Sequence, residues 1–246
     1  MPHLPRAFFI LASVIGATQI MSAPMAAAQS FPPQNAPVQS PWYIEGSGGL
    51  DWRMDASRST TFFSLVGPPV STPGTNTIAF DPGYNLGLGV GYKLPWGFRA
   101  EIEGNYSHYT VSSLSPLSTN GAFPALNGSR LNVQSGGARD EYGGTVNAYY
   151  DLPMSVSYVP YIGVGGGLET INAETVTVAG PGGVPHFTEF GGNATDAIIL
   201  AEVGMTIALN EKWSVVPSYR FQHVFLNSAA FPDNANIFKL GIRYSP

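Results

Sequence analysis

Glu101 and Glu103 stand two positions apart, a spacing that could do chemistry. On an extended chain such residues point the same way, about 7 Å apart. One carboxyl could then act as an acid and the other as a base. The run Gly163-Val164-Gly165-Gly166-Gly167 has the outward look of a phosphate-cradling loop, but no Lys-Ser/Thr pair follows it. His108, His186 and His223 are metal-ligand types, yet they lie far apart, and a zinc site needs ligands that converge. Neither a metal nor a cofactor is implied. What these residues can do depends on the elements that carry them.

Those elements alternate. In Trp42 to Met54, one parity reads Trp42, Ile44, Gly46, Gly48, Leu50, Trp52, Met54, and the other Tyr43, Glu45, Ser47, Gly49, Asp51, Arg53. A period of two means a β-strand with unlike faces. Seven further tracts repeat the pattern: Tyr84–Lys93, Phe98–Tyr109, Glu141–Asp151, Tyr158–Glu169, Ala197–Leu209, Trp213–Val224 and Ile237–Tyr244. In the sixth tract Ile198 and Leu200 blur the alternation. Pro217 is a flaw, because a closed sheet needs its missing N–H; a bulge near the rim would absorb it. Pro160 is similarly placed near a strand start.

Glu101 and Glu103 therefore belong to a face. The polar parity carries Glu45, Asp51, Glu101, Glu103, Glu141, Asp151, Glu169 and Glu202 together with Arg53, Lys93, Arg99, Arg220, Lys239 and Arg243. The narrow interior of an eight-stranded barrel is filled by side chains, and buried charges persist only when paired. The expectation is a structural network in which Arg53, Arg99, Arg220 and Arg243 bridge the acids, in preference to catalysis. Glycines on the same parity (Gly87, Gly89, Gly91, Gly163, Gly165, Gly167) make room for long side chains opposite.

The apolar parity places aromatics at strand ends. Trp42, Tyr92, Phe98, Tyr150, Tyr158, Trp213 and Tyr244 fall on one side, and Trp52, Tyr84, Tyr106, Tyr142, Phe221 and Phe238 on the other. Two such girdles mark two membrane interfaces. Connections alternate between short turns and long segments, the long ones being Asp55–Phe80, Thr110–Asp140, Ile171–Asp196 and the shorter Phe225–Asn236. The fold class expected is all-β, an eight-stranded antiparallel up-and-down transmembrane barrel. A soluble barrel would put its apolar parity inside. The unequal loops, the aromatic belts and the aromatic near the chain end weigh against that reading.

Composition agrees. The chain has 246 residues, 29 of them glycine, with 12% aromatic and only 11% charged. No apolar run of about 18 residues follows the leader, which excludes a helical span. A net charge of −5 without a basic cluster leaves no footprint for nucleic acid. Residues 1–28 read as a signal peptide, with Arg6, an apolar core from Ala7 to Ala17, and Ala26-Ala27-Ala28 for cleavage. Its removal takes the net charge from −5 to −6. Residues 29–41, rich in Pro, Gln and Ser, read as a disordered periplasmic leader, and 42–246 as the barrel. Absence of cysteine excludes a disulfide framework.

The layout resembles the small eight-stranded outer-membrane β-barrel family that includes OmpA-type transmembrane domains and opacity-type surface proteins. The resemblance is carried by Val159-Pro160-Tyr161-Ile162-Gly163-Val164-Gly165-Gly166-Gly167, Val216-Pro217-Ser218-Tyr219-Arg220-Phe221 and Phe238-Lys239-Leu240-Gly241-Ile242-Arg243-Tyr244. It implies residence in the cell outer membrane, contact with outer-membrane lipid and lipopolysaccharide, and recognition of the last strand by the barrel assembly machinery. Ser245 and Pro246 follow Tyr244, where family members end on the aromatic. The resemblance implies a non-catalytic, surface-exposed barrel; a small porin-like channel is the alternative, and adhesion through the loops a third reading. A related barrel family, the PagL-type lipid A deacylases, places a Ser two residues after a His. Here Phe225 stands two beyond His223, with Ser228 and Asp233 further on, so enzymatic activity is not expected.

Overall fold

In the computed structural model the chain is described at residues 40–63, 71–118, 128–152, 154, 157–179, 185–189, 191–225 and 234–246. The expected signal peptide and residues 29–39 lie outside them. Alternating β-branched, aromatic and small residues build strands β1 (Trp42–Arg53), β2 (Ala56–Phe63), β3 (Ser71–Lys93), β4 (Phe98–Ser118), β5 (Leu131–Gly136), β6 (Ala138–Asp151), β7 (Tyr158–Ala173), β8 (Val176–Ala179), β9 (Pro185–Glu189), β10 (Gly192–Ala208), β11 (Trp213–Phe225) and β12 (Asn234–Tyr244).

Eight of these close a ring in the order β1-β3-β4-β6-β7-β10-β11-β12, each antiparallel to both neighbours. The seam is β1 against β12, from the pair Ile44–Tyr244 to the pair Arg53–Ala235. Among the described residues no helix is long and apolar enough to cross a membrane. The ring crosses with strands instead, which satisfy one another's backbone groups without water.

Tight turns join β3 to β4 and β10 to β11. In the first, Trp96 and Gly97 adopt φ of 62° and 84°, and the Leu94 N–H donates to Phe98 O at 2.8 Å. In the second, Asn210 Oδ1 accepts from the N–H groups of Lys212 and Trp213, both at 2.9 Å, so a side chain substitutes for backbone in closing the turn. Pro217 is accommodated differently from the bulge expected. Its ladder to β12 runs through the pair Pro217–Leu240, while pairing to β10 opens between Gly204–Ser218 and Ile207–Val215 with no shift of register. The missing N–H falls in that opening. Pro160 lies at the end of the β6 ladder, where its carbonyl accepts from the Leu152 N–H at 2.8 Å.

The segments expected as long loops are in part sheet. β2 pairs with the first half of β3 beyond the barrel; β4 runs on to Ser118; β5, β8 and β9 form a further sheet above the same end. Their inward residues are apolar: Ala56, Ile78, Phe80, Tyr109, Val111, Leu114, Leu131, Val176 and Val178 pack into one buried cluster. Low charge made these segments look like loops, whereas their alternating Val, Ile and Thr are strand chemistry. Ile198 and Leu200, which blurred the sixth tract, point inward and are buried, Ile198 against Ile171 and Val224.

Lumen glycines are sites of close approach. A Cβ at Gly91 would collide with the Tyr43 ring, one at Gly163 with the Tyr149 ring, and one at Gly89 with the Glu101 carboxyl. A Cβ at Gly46, on the outer face, would meet nothing within 4 Å. Gly91→Val and Gly163→Val are therefore expected to lower stability by about 1–3 kcal/mol through overpacking. Gly46→Val should stay within about 0.5 kcal/mol of the parent. Urea unfolding in lipid vesicles, followed by tryptophan fluorescence, distinguishes the two classes.

Candidate functional site: the barrel lumen

The two faces of the barrel are inverted relative to a water-soluble protein. Ile44, Leu50, Leu88, Ile102, Val146, Val164, Leu168 and Leu240 are each about half exposed or more, while Asp51, Arg53, Glu141, Glu169 and Arg220 are at most 1% exposed. The outward aromatics bound this apolar band through cross-strand pairs. At the turn end Trp42 meets Tyr92 (4.8 Å between ring centroids), Phe98 meets Tyr150 (5.0 Å) and Trp213 meets Tyr244 (4.8 Å), with Tyr158 exposed beside them. At the other end Tyr84 lies 6.1 Å from Tyr106, which pairs across the ladder with Tyr142; Phe238 packs on Tyr219 at 5.2 Å, and Trp52 and Phe221 face outward. From Phe98 to Tyr106 β4 spans nine residues, the length that a tilted transmembrane strand needs.

Inside, the charges fall into three tiers. At the turn end Arg243 donates to Glu45 (2.8 Å), Arg99 donates to both oxygens of Asp151 (2.9 and 3.0 Å) and to the Tyr43 hydroxyl (3.0 Å). The Arg99 guanidinium stacks over Tyr149 and Tyr161 at 4.6 and 4.8 Å, and Arg243 over Tyr43 at 4.5 Å. In the middle Arg220 bridges Glu103 and Glu202, the second at 2.8 Å, and Lys239 donates to Glu103 at 2.8 Å. Asn147 (3.2 Å) donates to Glu103 and Tyr161 (2.8 Å) to Glu202. At the far end Arg53 forks onto Asp51 (2.9 and 2.7 Å) and reaches Glu141. Tyr109 caps this tier: its hydroxyl donates to Glu141, Arg53 lies 4.6 Å from its ring, and its other side joins the apolar cluster above.

Three of the charged residues sit outside ion pairs among the described residues. Glu169 accepts from the amides of Asn105 (3.0 Å) and Gln222 (2.6 Å); Glu101 accepts a long bond from the Tyr149 hydroxyl (3.4 Å); Lys93 donates to the Ser245 hydroxyl (3.2 Å). Glu101 and Glu103 share a face, but Glu103 is saturated by cations and Glu101 lies against the Gly89 backbone, so no substrate-sized space separates them. The tyrosines and amides of this network were absent from the sequence reading, although Tyr43, Asn105, Asn147, Tyr149, Tyr161 and Gln222 share the parity of the charges.

The other candidate groups do not converge. His108 Nδ1 and the Tyr106 hydroxyl both contact Asp140 Oδ1, at 2.9 and 2.6 Å, on the outer face. His223 Nδ1 contacts Asn234 Oδ1 at 2.9 Å and lies edge-on to Phe225. Ser228, Asp233 and the His186 side chain lie outside the described residues. Among those described, no three potential ligands cluster to hold a metal. Gly163 to Gly167 lie inside β7 and form no loop.

Closed antiparallel strands, an apolar exterior and a charged interior define a membrane-spanning β-barrel. No family model and no curated protein matches the chain. Among solved structures it is similar to Neisserial surface protein A, with 14% identity and a TM-score of 0.47 over 84% of this chain and 98% of that one. It is also similar to the outer membrane protein OprG of Pseudomonas aeruginosa, with 14% identity and a TM-score of 0.46 over 84% of this chain and 94% of that one. The Escherichia coli outer membrane protease OmpT gives 8% identity and a TM-score of 0.44 over 86% and 99%. The likeness is one of fold, and it transfers no residue's role.

The middle tier carries a direct energetic test. Arg220→Met leaves Glu202 buried without its guanidinium and is expected to cost about 3–5 kcal/mol, whereas adding Glu202→Met should recover most of that loss. Equal destabilisation by the single and double variants in a urea titration would refute the pairing.

Proposed function

We propose that the protein is a non-catalytic β-barrel of the cell outer membrane, exposed at the surface, whose lumen is closed to the passage of solutes. The observation that carries this reading is the filling of the lumen. Three tiers of paired charge occupy it, tyrosine rings fill the space its glycines leave, and an apolar cluster covers one end. A conducting pore of this width would need a continuous polar path, and the Tyr109 layer interrupts it. A catalytic reading would need a nucleophile, a base and an orienting group within hydrogen-bond reach. His108 and His223, on the barrel wall, hydrogen-bond to a carboxylate and an amide and pack on the Tyr84 and Phe225 rings.

The exposed apolar band calls for lipid, and closed barrels with lipid outside and charge inside belong to outer membranes. In that setting the short turns face the periplasm and the β2, β5, β8 and β9 extensions face outward. Residues 1–28 direct export, with cleavage after Ala28. The outer aromatic belt then contacts lipopolysaccharide, and β12 is the strand read by the assembly machinery. The extensions present the surface on which an extracellular partner would act.

Three measurements test the reading. The protein purified from membranes should run at a different gel position unboiled in SDS than after boiling, and intact mass should place its first residue at Gln29. In planar bilayers it should give no stable conductance. A steady current that changes with Arg99→Gln or Glu101→Gln would replace the plug with a pore.

A further inference from the structure

At the turn end the lumen opens into a cavity of about 420 Å³, lined by the β10–β11 turn and by residues at the ends of β3, β6 and β12. Its formal charges mostly cancel. Arg243 is matched by Glu45, and Asp151 has both oxygens taken by Arg99. Glu211 and Lys212, adjacent and exposed in the turn, add one formal charge of each sign. Lys93 remains, half-buried at the wall, and no carboxylate is in ion-pair contact with it among the described residues.

The neutral groups of the wall are polarised the same way. Ser245 Oγ accepts from Lys93 Nζ (3.2 Å), and Thr206 Oγ1 accepts from Arg243 Nη1 (3.1 Å). A hydroxyl whose oxygen accepts from a cation keeps its own hydrogen to give. Asn210 Oδ1 is occupied by the N–H groups of Lys212 and Trp213, so the side chain has only its NH₂ left to offer. Lys93, Ser245, Thr206 and Asn210 all line this cavity, and each is left with hydrogens to donate. A pocket that offers donors and one unmatched positive charge is complementary to an oxyanion, because charge-assisted N–H and O–H donors bind carboxylate and phosphate oxygens best.

We propose that this vestibule is a binding site for a small soluble oxyanion of the phosphate or carboxylate class, held by Lys93, with Asn210, Thr206 and Ser245 as its neutral donors. The inference rests on the lumen geometry and not on where in the cell the barrel resides. A lipid headgroup carries the same phosphate chemistry, but the cavity lies on the lumen side of the strands whose outer faces carry Tyr92 and Tyr244, away from lipid.

The test titrates inorganic phosphate into the full protein in maltoside micelles, which contain no phosphate, and follows backbone amide shifts or heat. Saturable binding is expected, with shifts at Lys93, Asn210 and Ser245. Lys93→Gln should weaken it about tenfold or more, and Lys93→Arg should retain it. Asn210→Asp keeps the acceptor that closes the turn but swaps the donor for a charge, and it should abolish binding. Unboiled gel mobility reports whether each variant folds; if Lys93→Gln does not, Asn210→Asp decides. Absence of saturable binding in the parent overturns the proposal, as does unchanged affinity in whichever of these two variants folds. Displacement of phosphate by added phosphatidylglycerol would assign the site to a lipid headgroup and overturn the soluble-anion assignment.

Discussion

A sheet that spans lipid must leave no strand edge unpaired, and closure of β1 on β12 is the condition on which the remaining structure depends. Eight strands can close only around a narrow interior. That width decides the residues inside. A large aromatic can point inward only where the strand opposite is reduced to backbone, which is why Tyr43 faces Gly91 and Tyr149 faces Gly163 across their ladders. The glycines are thus complementary halves of specific side-chain positions. They fix register as firmly as the apolar parity does, because a slip of one residue would drive a ring into a neighbouring strand.

Charge in that interior has the same origin. The outer face has taken the apolar residues, so the inner face must specify its packing with polar ones. Ion pairs isolated from water gain little over apolar packing, but a guanidinium reaches several strands at once. Arg220 on β11 holds Glu103 on β4 and Glu202 on β10, and Lys239 on β12 joins them. Arg53 links β1 to β6, and Arg99 links β4 to β1 and β6. Arg220–Glu103, Lys239–Glu103, Arg53–Glu141 and Arg99–Tyr43 each brace strands that share no ladder, while Arg220–Glu202 and Arg243–Glu45 reinforce ladder partners. Such braces distinguish this closure from others with the same alternation, a specificity that Leu or Val at those positions could not supply.

The strand count, the inner face and the two aromatic belts were legible because each depends only on parity within a tract. Trp42 to Met54 shows both faces without reference to any other segment. What depended on partners was not legible. Ile198 and Leu200 looked like noise because burial is set by other strands, as Ile171 and Val224 bury Ile198. The extension strands looked like loops because apolar residues at positions such as Val111, Val176 and Val178 become a core only when β4, β5 and β8 meet above the barrel. Pro217 looked like a defect because its tolerance lies in the opened ladder to β10, a property of two strands.

Tyr109 shows how the two ends of the lumen come to differ. Its ring is apolar on the side of Phe80, 5.5 Å away, and its hydroxyl is spent on Glu141. One residue therefore terminates the charged interior and begins the apolar cluster above it. At the opposite end the buried cluster of Tyr149, Tyr161 and Val216 lies against Arg99, and Lys93 stands at the wall of the cavity. Arg243 and Lys93 line the cavity there, and the hydroxyls and amide beside them have surrendered their acceptors to neighbouring N–H groups. A channel requires both mouths to be wet, and a rigid plug requires neither. A lumen sealed above and lined with donors below has the form of a blind pocket, one that a solute can enter without crossing.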